Sequence, residues 1–344
     1  MVLTFRGSIA PPAQQGALER FLPLARWTRT PEVIDGSAAA LYGLPAGVSE
    51  PVLVSASAGV GAKFKIASAA GKHELIGADL VAACVNDVVT SGAQPLFFML
   101  RYGCAKLDLD ILEQVTSGVA EACRSAGCAL LGGETSEQPG AYAEGSYDLS
   151  GFALGVVARS QLLGKERVSA GDHLVAVAAN GLHTEGHAVA RRVLEQDLCL
   201  WMGERVEALG GTVSEALLEP TRIYARAVDA LRGALGGAVH ALAHVGAGGI
   251  PAHVTRIVPE GLKARVDLGS YERPPIFRLL AEQGHVTEDE LRNGFGLGVG
   301  LIAIVSAEAS FAAVEALEAA GEAAWMFGDV RAAAAADPRL SIAG

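Results

Sequence analysis

Charge is scarce in this chain, and positive charge scarcer still. Asp, Glu, Lys and Arg make up 19% of its 344 residues, with 27 basic against 38 acidic side chains and a net charge of −11. A surface of that sign repels phosphate backbones, which excludes nucleic acid as a general partner. It leaves room for a local basic pocket around a small phosphorylated ligand. No apolar run approaches the ~20 residues that a membrane helix needs. The opening stretch, MVLTFRGSIAPPAQQG, lacks the basic start and long apolar core of a signal peptide. A soluble, cytoplasmic protein without a membrane partner is therefore expected. The five cysteines, Cys84, Cys104, Cys123, Cys128 and Cys199, are odd in number and contain no CxxC pair. That excludes a disulfide framework and a zinc site, and reduced, buried thiols are expected.

Several motifs are missing too. There is no GxxxxGK[ST] phosphate loop, no HExxH and no GxSxG, and the glycines of Gly294–Gly300 do not make GxGxxG. P-loop kinase, zincin, α/β-hydrolase and Rossmann dehydrogenase readings lose their main support. What is present is apolar material, 51% of the chain with 42 glycines, enough for the cores of two domains.

Residues 1–50 read as a weakly ordered arm followed by a helix that Pro23 interrupts. Strands are expected at Pro51–Ser57, Pro95–Tyr102, Ala129–Gly133, Gly151–Ala158, His173–Ala178, Lys263–Leu268 and Val299–Ser306. Helices are expected at Ala78–Ser91, Leu109–Ala126, Ala188–Leu198, Thr221–Leu235, Pro275–Gln283 and Ala307–Ala320. The alternation is not a strict βαβ one, so the class is α+β or α/β. The polar stretch near residues 165–171 divides the chain into domains 1–165 and 166–344.

Polar clusters mark the expected strand ends. Ser57–Lys63 (SAGVGAK) offers Gly59 and Gly61 for close approach of an anion and Lys63 to neutralise it, although a structural turn reads equally well. Asp79, Asn86 and Asp87 stand in an apolar helix at spacings that bring all three near one face. Burying them requires partners, either a polar network or a metal or ligand. Glu134 and Thr135 fall in a loop, Gly132–Tyr142, that leaves a buried strand, and Glu134 suits a divalent cation or a ribose hydroxyl. Further on, His183 and His244 lie in glycine-flanked loops as acid–base or phosphate-contacting candidates, or as structural histidines. Gly248 and Gly249 follow His244, and Arg222 can grip a phosphate or bridge locally.

Taken together, His73–Asp87 (HELIGADLVAACVND), Pro95–Phe98 (PLFF), Gly132–Tyr142, Gly151–Val157 (GFALGVV), Pro220–Tyr224 (PTRIY) and His240–Gly249 (HALAHVGAGG) are colinear with similar strings of one family. The chain resembles the aminoimidazole ribonucleotide synthetases, or phosphoribosylformylglycinamidine cyclo-ligases. The resemblance implies a two-domain fold whose N-terminal domain contributes to a β-barrel shared between two subunits, and hence a homodimer. It also implies ATP and Mg²⁺, a small phosphorylated metabolite as substrate, and ring closure in purine biosynthesis. On this reading Asp79, Asp87 and Glu134 are metal ligands, and Asn86, His183 and His244 are catalytic. Gly59, Gly61, Lys63, Thr135, Arg222, Gly248 and Gly249 contact nucleotide or phosphate. The chain departs from the family where DGVGTK has Ala58 and Ala62 for Asp and Thr, where Leu100 replaces a strand Asp, and where GGFG is reduced to Gly36–Ala39. It departs again at Gly7, Pro11 and Ala13 in the N-terminal arm, and at Gly296, in place of an Asn. The losses gather on the nucleotide side. They leave open a paralogue with altered substrate, or a non-catalytic ligand-binding homologue.

Overall fold

The computed structural model describes residues 1–36, 39–334 and 337–344, and the elements below are those of the described residues. The chain forms two compact units, Met1–Val89 with Ala93–Arg159, and Thr90–Gly92 with Ser160–Gly344. The division falls ahead of the 165/166 boundary expected from composition. The intervening segment is tied into the second unit by the Leu163 amide on the Ser91 carbonyl, the Gly164 amide on the His240 carbonyl and the Gly171 amide on the Val330 carbonyl.

The first unit runs β1 (Val2–Gly7), α1 (Pro11–Trp27), β2 (Val33–Ile34), β3 (Leu41–Tyr42), β4 (Pro51–Gly59), α2 (Lys63–Ala70), α3 (His73–Val89), β5 (Gln94–Cys104), α4 (Leu109–Ala126), β6 (Ala129–Glu137) and β7 (Tyr147–Ala158). Its five-stranded sheet has the order β1-β6-β5-β7-β4. The N-terminal arm is therefore an ordered edge strand: β1 pairs in parallel with β6 from Val2↔Gly132 to Gly7↔Glu137. Local sequence did not reveal this because the partner lies more than a hundred residues away. Helix α1 runs through Pro23 without ending there, burying Ala17, Phe21 and Ala25; proline removes one hydrogen bond, and the packed face holds the helix on either side. Strand β6 extends to Glu137, so Glu134 and Thr135 sit in the sheet rather than in a loop.

Helices α3 and α4 cover one face of this sheet. They approach so closely that a Cβ on Gly118 would stand 1.8 Å from the Glu74 carbonyl oxygen, and one on Gly77 would stand 2.2 Å from that of Val115. Helix α4 has the bounds expected. The Asp108 side chain accepts from the Asp110 and Ile111 amides at its start, and Gly127 ends it in the left-handed conformation. The other sheet face carries Met99, Arg101, Ser150 and Phe152, and its far end packs Val33, Tyr42 and Phe97 against Ala129 and Leu131.

The second unit runs β8 (His173–Ala178), α5 (His187–Arg191), a π-helical turn (Arg192–Asp197), β9 (Arg205–Val206), β10 (Gly211–Thr212), α6 (Val213–Leu218), α7 (Ala225–Leu235), β11 (Val239–His244), α8 (Gly249–Ile257), β12 (Leu262–Asp267), α9 (Pro275–Glu282), α10 (Glu288–Gly294), β13 (Val299–Val305), α11 (Ser310–Ala319), β14 (Ala324–Ala332) and β15 (Leu340–Ala343). The six-stranded sheet has the order β11-β13-β8-β14-β12-β15, with β12 and β15 parallel and the other pairs antiparallel. Strand β13 is buried along its whole length, as its unbroken apolar run VGLIAIV requires. The architecture is α+β in both units. Cys84, Cys104, Cys123 and Cys128 are buried, and Cys199 is exposed.

Candidate functional site

In the first unit, β4 ends at Gly59, and Gly61 turns the chain with φ +56° into α2, whose first residue is Lys63. Lys63 does not face outward. Its Nζ lies 2.8 Å from Asp79 Oδ2, and both side chains have no exposed surface. Asn86 is also fully buried on α3, whereas Asp87 is exposed. At roughly 100° per residue, Asp87 stands about 80° round the helix from Asp79 while Asn86 stands about 20° away, so the three do not share one environment. Close by, His73 Nδ1 is 2.7 Å from the Tyr147 hydroxyl, and Tyr147 stacks on Tyr102. Burial holds His73 below the usual histidine range, with the charges of Glu74 and Asp108 acting the other way. Burial pushes the Cys84 thiol up to about 12 and Cys104 to about 11, which keeps both protonated.

Glu134 projects into a cavity of about 590 Å³ on the open face of the sheet, lined also by Thr4, Ser57, Met99, Arg101 and Phe152. Arg6 Nε donates to its carboxylate at 3.4 Å, and Arg101 Nε stands 3.7 Å away. A cation at Glu134 would meet two guanidinium charges. Among the described residues no three His, Cys, Asp or Glu side chains gather to hold a metal ion. The three carboxylates expected as metal ligands thus meet different surroundings: Asp79 faces Lys63, Asp87 faces outward and Glu134 faces arginines. Thr135 points to the covered side, paired with Tyr102 in register, and is 1% exposed. Leu100 is buried, Ala62 is the residue before α2, and Ser37 and Ala38 lie outside the described residues.

The second unit brings His183 and His244 together. Their ring centroids are 6.3 Å apart, and Tyr224, which the sequence does not mark as a site residue, completes a triangle at 6.3 Å from His183 and 6.4 Å from His244. Its position was present in the string PTRIY, but nothing local shows that its ring turns inward. All three side chains are buried or nearly so. The Tyr224 hydroxyl donates to the Ala178 carbonyl at 2.7 Å, and a Cβ on Gly300 would collide with that hydroxyl. His183 holds φ +57°, a conformation that costs a non-glycine residue about 1–3 kcal/mol. Its Nε2 accepts the Asn180 amide at 3.1 Å, so the neutral ring carries its proton on Nδ1.

His244 ends β11, and Gly246, Gly248 and Gly249 follow it into α8, with Gly248 at φ +90° and Gly249 at φ +62°. A glycine turn opening a helix presents amides to an anion. Arg222 is already engaged. It donates to Asn180 Oδ1 and the Gly321 carbonyl, each at 3.1 Å, and pairs with Glu322. Burial raises Glu322 above the usual carboxylate range, with Arg222 opposing. Through these contacts Arg222 clamps the start of the His183 loop.

The comparisons with known proteins decide the family. The family model described as AIR synthase related protein, N-terminal domain, matches residues 36–157, and the corresponding C-terminal domain model matches residues 169–338. The chain belongs to the AIR synthase related family. Among curated members, it is 54% identical over 320 residues to the phosphoribosylformylglycinamidine cyclo-ligase of Sorangium cellulosum, covering 92% of each chain. It is 46% identical over 317 residues to the protein of that name from Anaeromyxobacter, covering 91% of each. Solved structures share the fold at lower identity. Thiamine-monophosphate kinase from Stenotrophomonas maltophilia superposes with a TM-score of 0.71 at 22% identity, over 95% of both chains. A hydrogenase maturation protein in complex with ATP gives 0.69 at 20%, over 98% of this chain and 92% of that one. No described helix is long and apolar enough to cross a membrane.

Proposed function

We propose that the chain is a phosphoribosylformylglycinamidine cyclo-ligase, an ATP-dependent enzyme of purine biosynthesis working in the cytoplasm. The observation that carries this reading is the 54% identity to a curated cyclo-ligase across 92% of both chains. That span includes both domains with their glycine turns and polar clusters. ATP, as a substrate, activates the formyl oxygen of formylglycinamidine ribonucleotide; attack by the ring nitrogen then closes the imidazole and releases ADP and phosphate.

The residues of this chain bind, orient and move protons. The Gly59–Gly61 turn and the Gly248–Gly249 turn are the phosphate-contacting candidates, since both put backbone amides at a helix start. His183, with its proton on Nδ1, and His244 are the proton-handling pair. Their burial next to Tyr224 keeps water from competing for the protons they handle. Lys63 and Asp79 stabilise the base of the α2 turn from inside rather than by touching a ligand. Mg²⁺ entering with the nucleotide would take most of its ligands from phosphate oxygens and water, because the three expected carboxylates do not converge.

A second copy of the chain is the partner we propose for the open sheet face of the first unit. That face exposes Leu53 and Phe152, 55% and 37% accessible, beside the cavity at Glu134. The test of the activity is turnover of formylglycinamidine ribonucleotide with ATP. Turnover well above the enzyme-free rate is expected, and His183→Gln or His244→Gln should lower kcat by ~10²–10⁴. A wild-type rate no better than the enzyme-free control overturns the reading.

A further inference from the structure

The second unit holds a small polar cavity of about 280 Å³, distant in sequence from the residues considered for ring closure. Its lining includes Ser160, Gln161, Leu163, Arg167, Arg232 and the Gly236–Gly237 turn. Two arginines in one small cavity are notable in a chain of net charge −11. Other arginines of this unit hold glutamates, as Arg191 does Glu195, Arg222 does Glu322 and Arg273 does Glu288. Arg167 and Arg232 instead hold neutral oxygens of the cavity rim, the Ser160 carbonyl and Gln161 Oε1. A guanidinium carries five N–H donors, so each keeps donors for the cavity beyond the one that ties it to the rim.

The backbone is shaped around this pair. Gly92 stands at φ +80°, and a Cβ there would lie 3.4 Å from the Arg232 guanidinium carbon and 3.1 Å from the Gln161 carbonyl oxygen. Gly236 adopts φ +53° and ψ −121°, a conformation that side chains resist, and begins a short 3₁₀ turn with Gly237. Burial lowers the Arg232 pKa, Asp229 opposes this, and the charge of Arg167 lowers it further. The two guanidiniums therefore repel each other across the cavity, and an anion between them would relieve that repulsion. Asp229 offsets part of the charge from one side, which leaves a net positive site.

We infer that this cavity binds a phosphate dianion, free or as the terminal group of a small phosphomonoester, between the Arg167 and Arg232 guanidiniums, with Gly236 and Gly237 forming the wall beside it. The cavity is too small for a nucleotide to enter whole. Paired guanidiniums recognise phosphate by two-pronged, charge-assisted hydrogen bonds. The site is separate from the His183 and His244 cluster, so its occupancy can be read without turnover.

The test is a titration of full-length protein, labelled with ¹⁵N-glycine, by inorganic phosphate and by glycerol phosphate at constant ionic strength. Saturable shifts of the Gly236 and Gly237 amides by both ligands are expected, with none from chloride. Arg167→Gln and Arg232→Gln should each weaken the binding at least tenfold, and Asp229→Asn should strengthen it. Both arginines are partly exposed at the rim, so either variant serves if the other fails to fold. Amides that do not move, or that move equally in the wild type and Arg167→Gln, overturn the proposal.

Discussion

At the scale of single residues, the Lys63–Asp79 pair places two opposite charges in the core of the first unit. Two fully buried charges lose their hydration, and their attraction roughly offsets that loss. Breaking this buried ion pair from one side removes its counter-charge, so Asp79→Asn should destabilise the protein by about 3–5 kcal/mol in denaturant unfolding. The double variant Lys63→Met, Asp79→Leu should recover most of that, since apolar replacements of similar volume are often neutral. His73 makes a second prediction. Its folded pKa is depressed below 6.5 by burial, so the unfolded chain binds more protons as pH falls through that value. Stability is thus held above pH 6.5 and lost progressively as pH falls through the folded pKa. Unfolding measured between about pH 7.5 and 5.5 should show this slope, and His73→Gln should flatten it.

At the scale of elements, the α3–α4 crossing rests on two glycines. A methyl group at Gly118 would meet backbone rather than a yielding side chain, so Gly118→Ala must part the helices. A loss of about 1–3 kcal/mol is expected, read as a fall in Tm. The loop bearing His183 depends on a different kind of support. Arg222 joins Asn180 to Gly321 and Glu322, so Arg222→Lys, which keeps charge but loses the planar fork, should lower kcat more than it raises KM if the loop positions His183. An unchanged kcat would return Arg222 to a purely structural role.

At the scale of the whole molecule, the exposed apolar side chains on the open sheet face make association of two copies the expected state. Light scattering after size exclusion should give twice the 35.3 kDa chain mass, and Phe152→Asp should shift the protein toward monomer. A wild-type monomer at micromolar concentration would remove the shared-sheet reading while leaving the catalytic one to be judged by turnover.

The sequence by itself determined much of the scaffold. Helix α4 and strand β8 have the bounds that periodicity and capping residues indicate, β13 is the buried strand its apolar run demands, and the colinear motifs name the family. These features rest on contacts between neighbours in the chain, which local chemistry encodes. The tertiary structure alone decided where the polar residues point. Strand β1 exists because β6 lies beside it, Lys63 turns inward because Asp79 waits there, and Glu134 faces Arg6 and Arg101 across three strands. Ion pairs and strand pairing join residues far apart in sequence, and a side chain's partner is fixed only when the fold brings the two together.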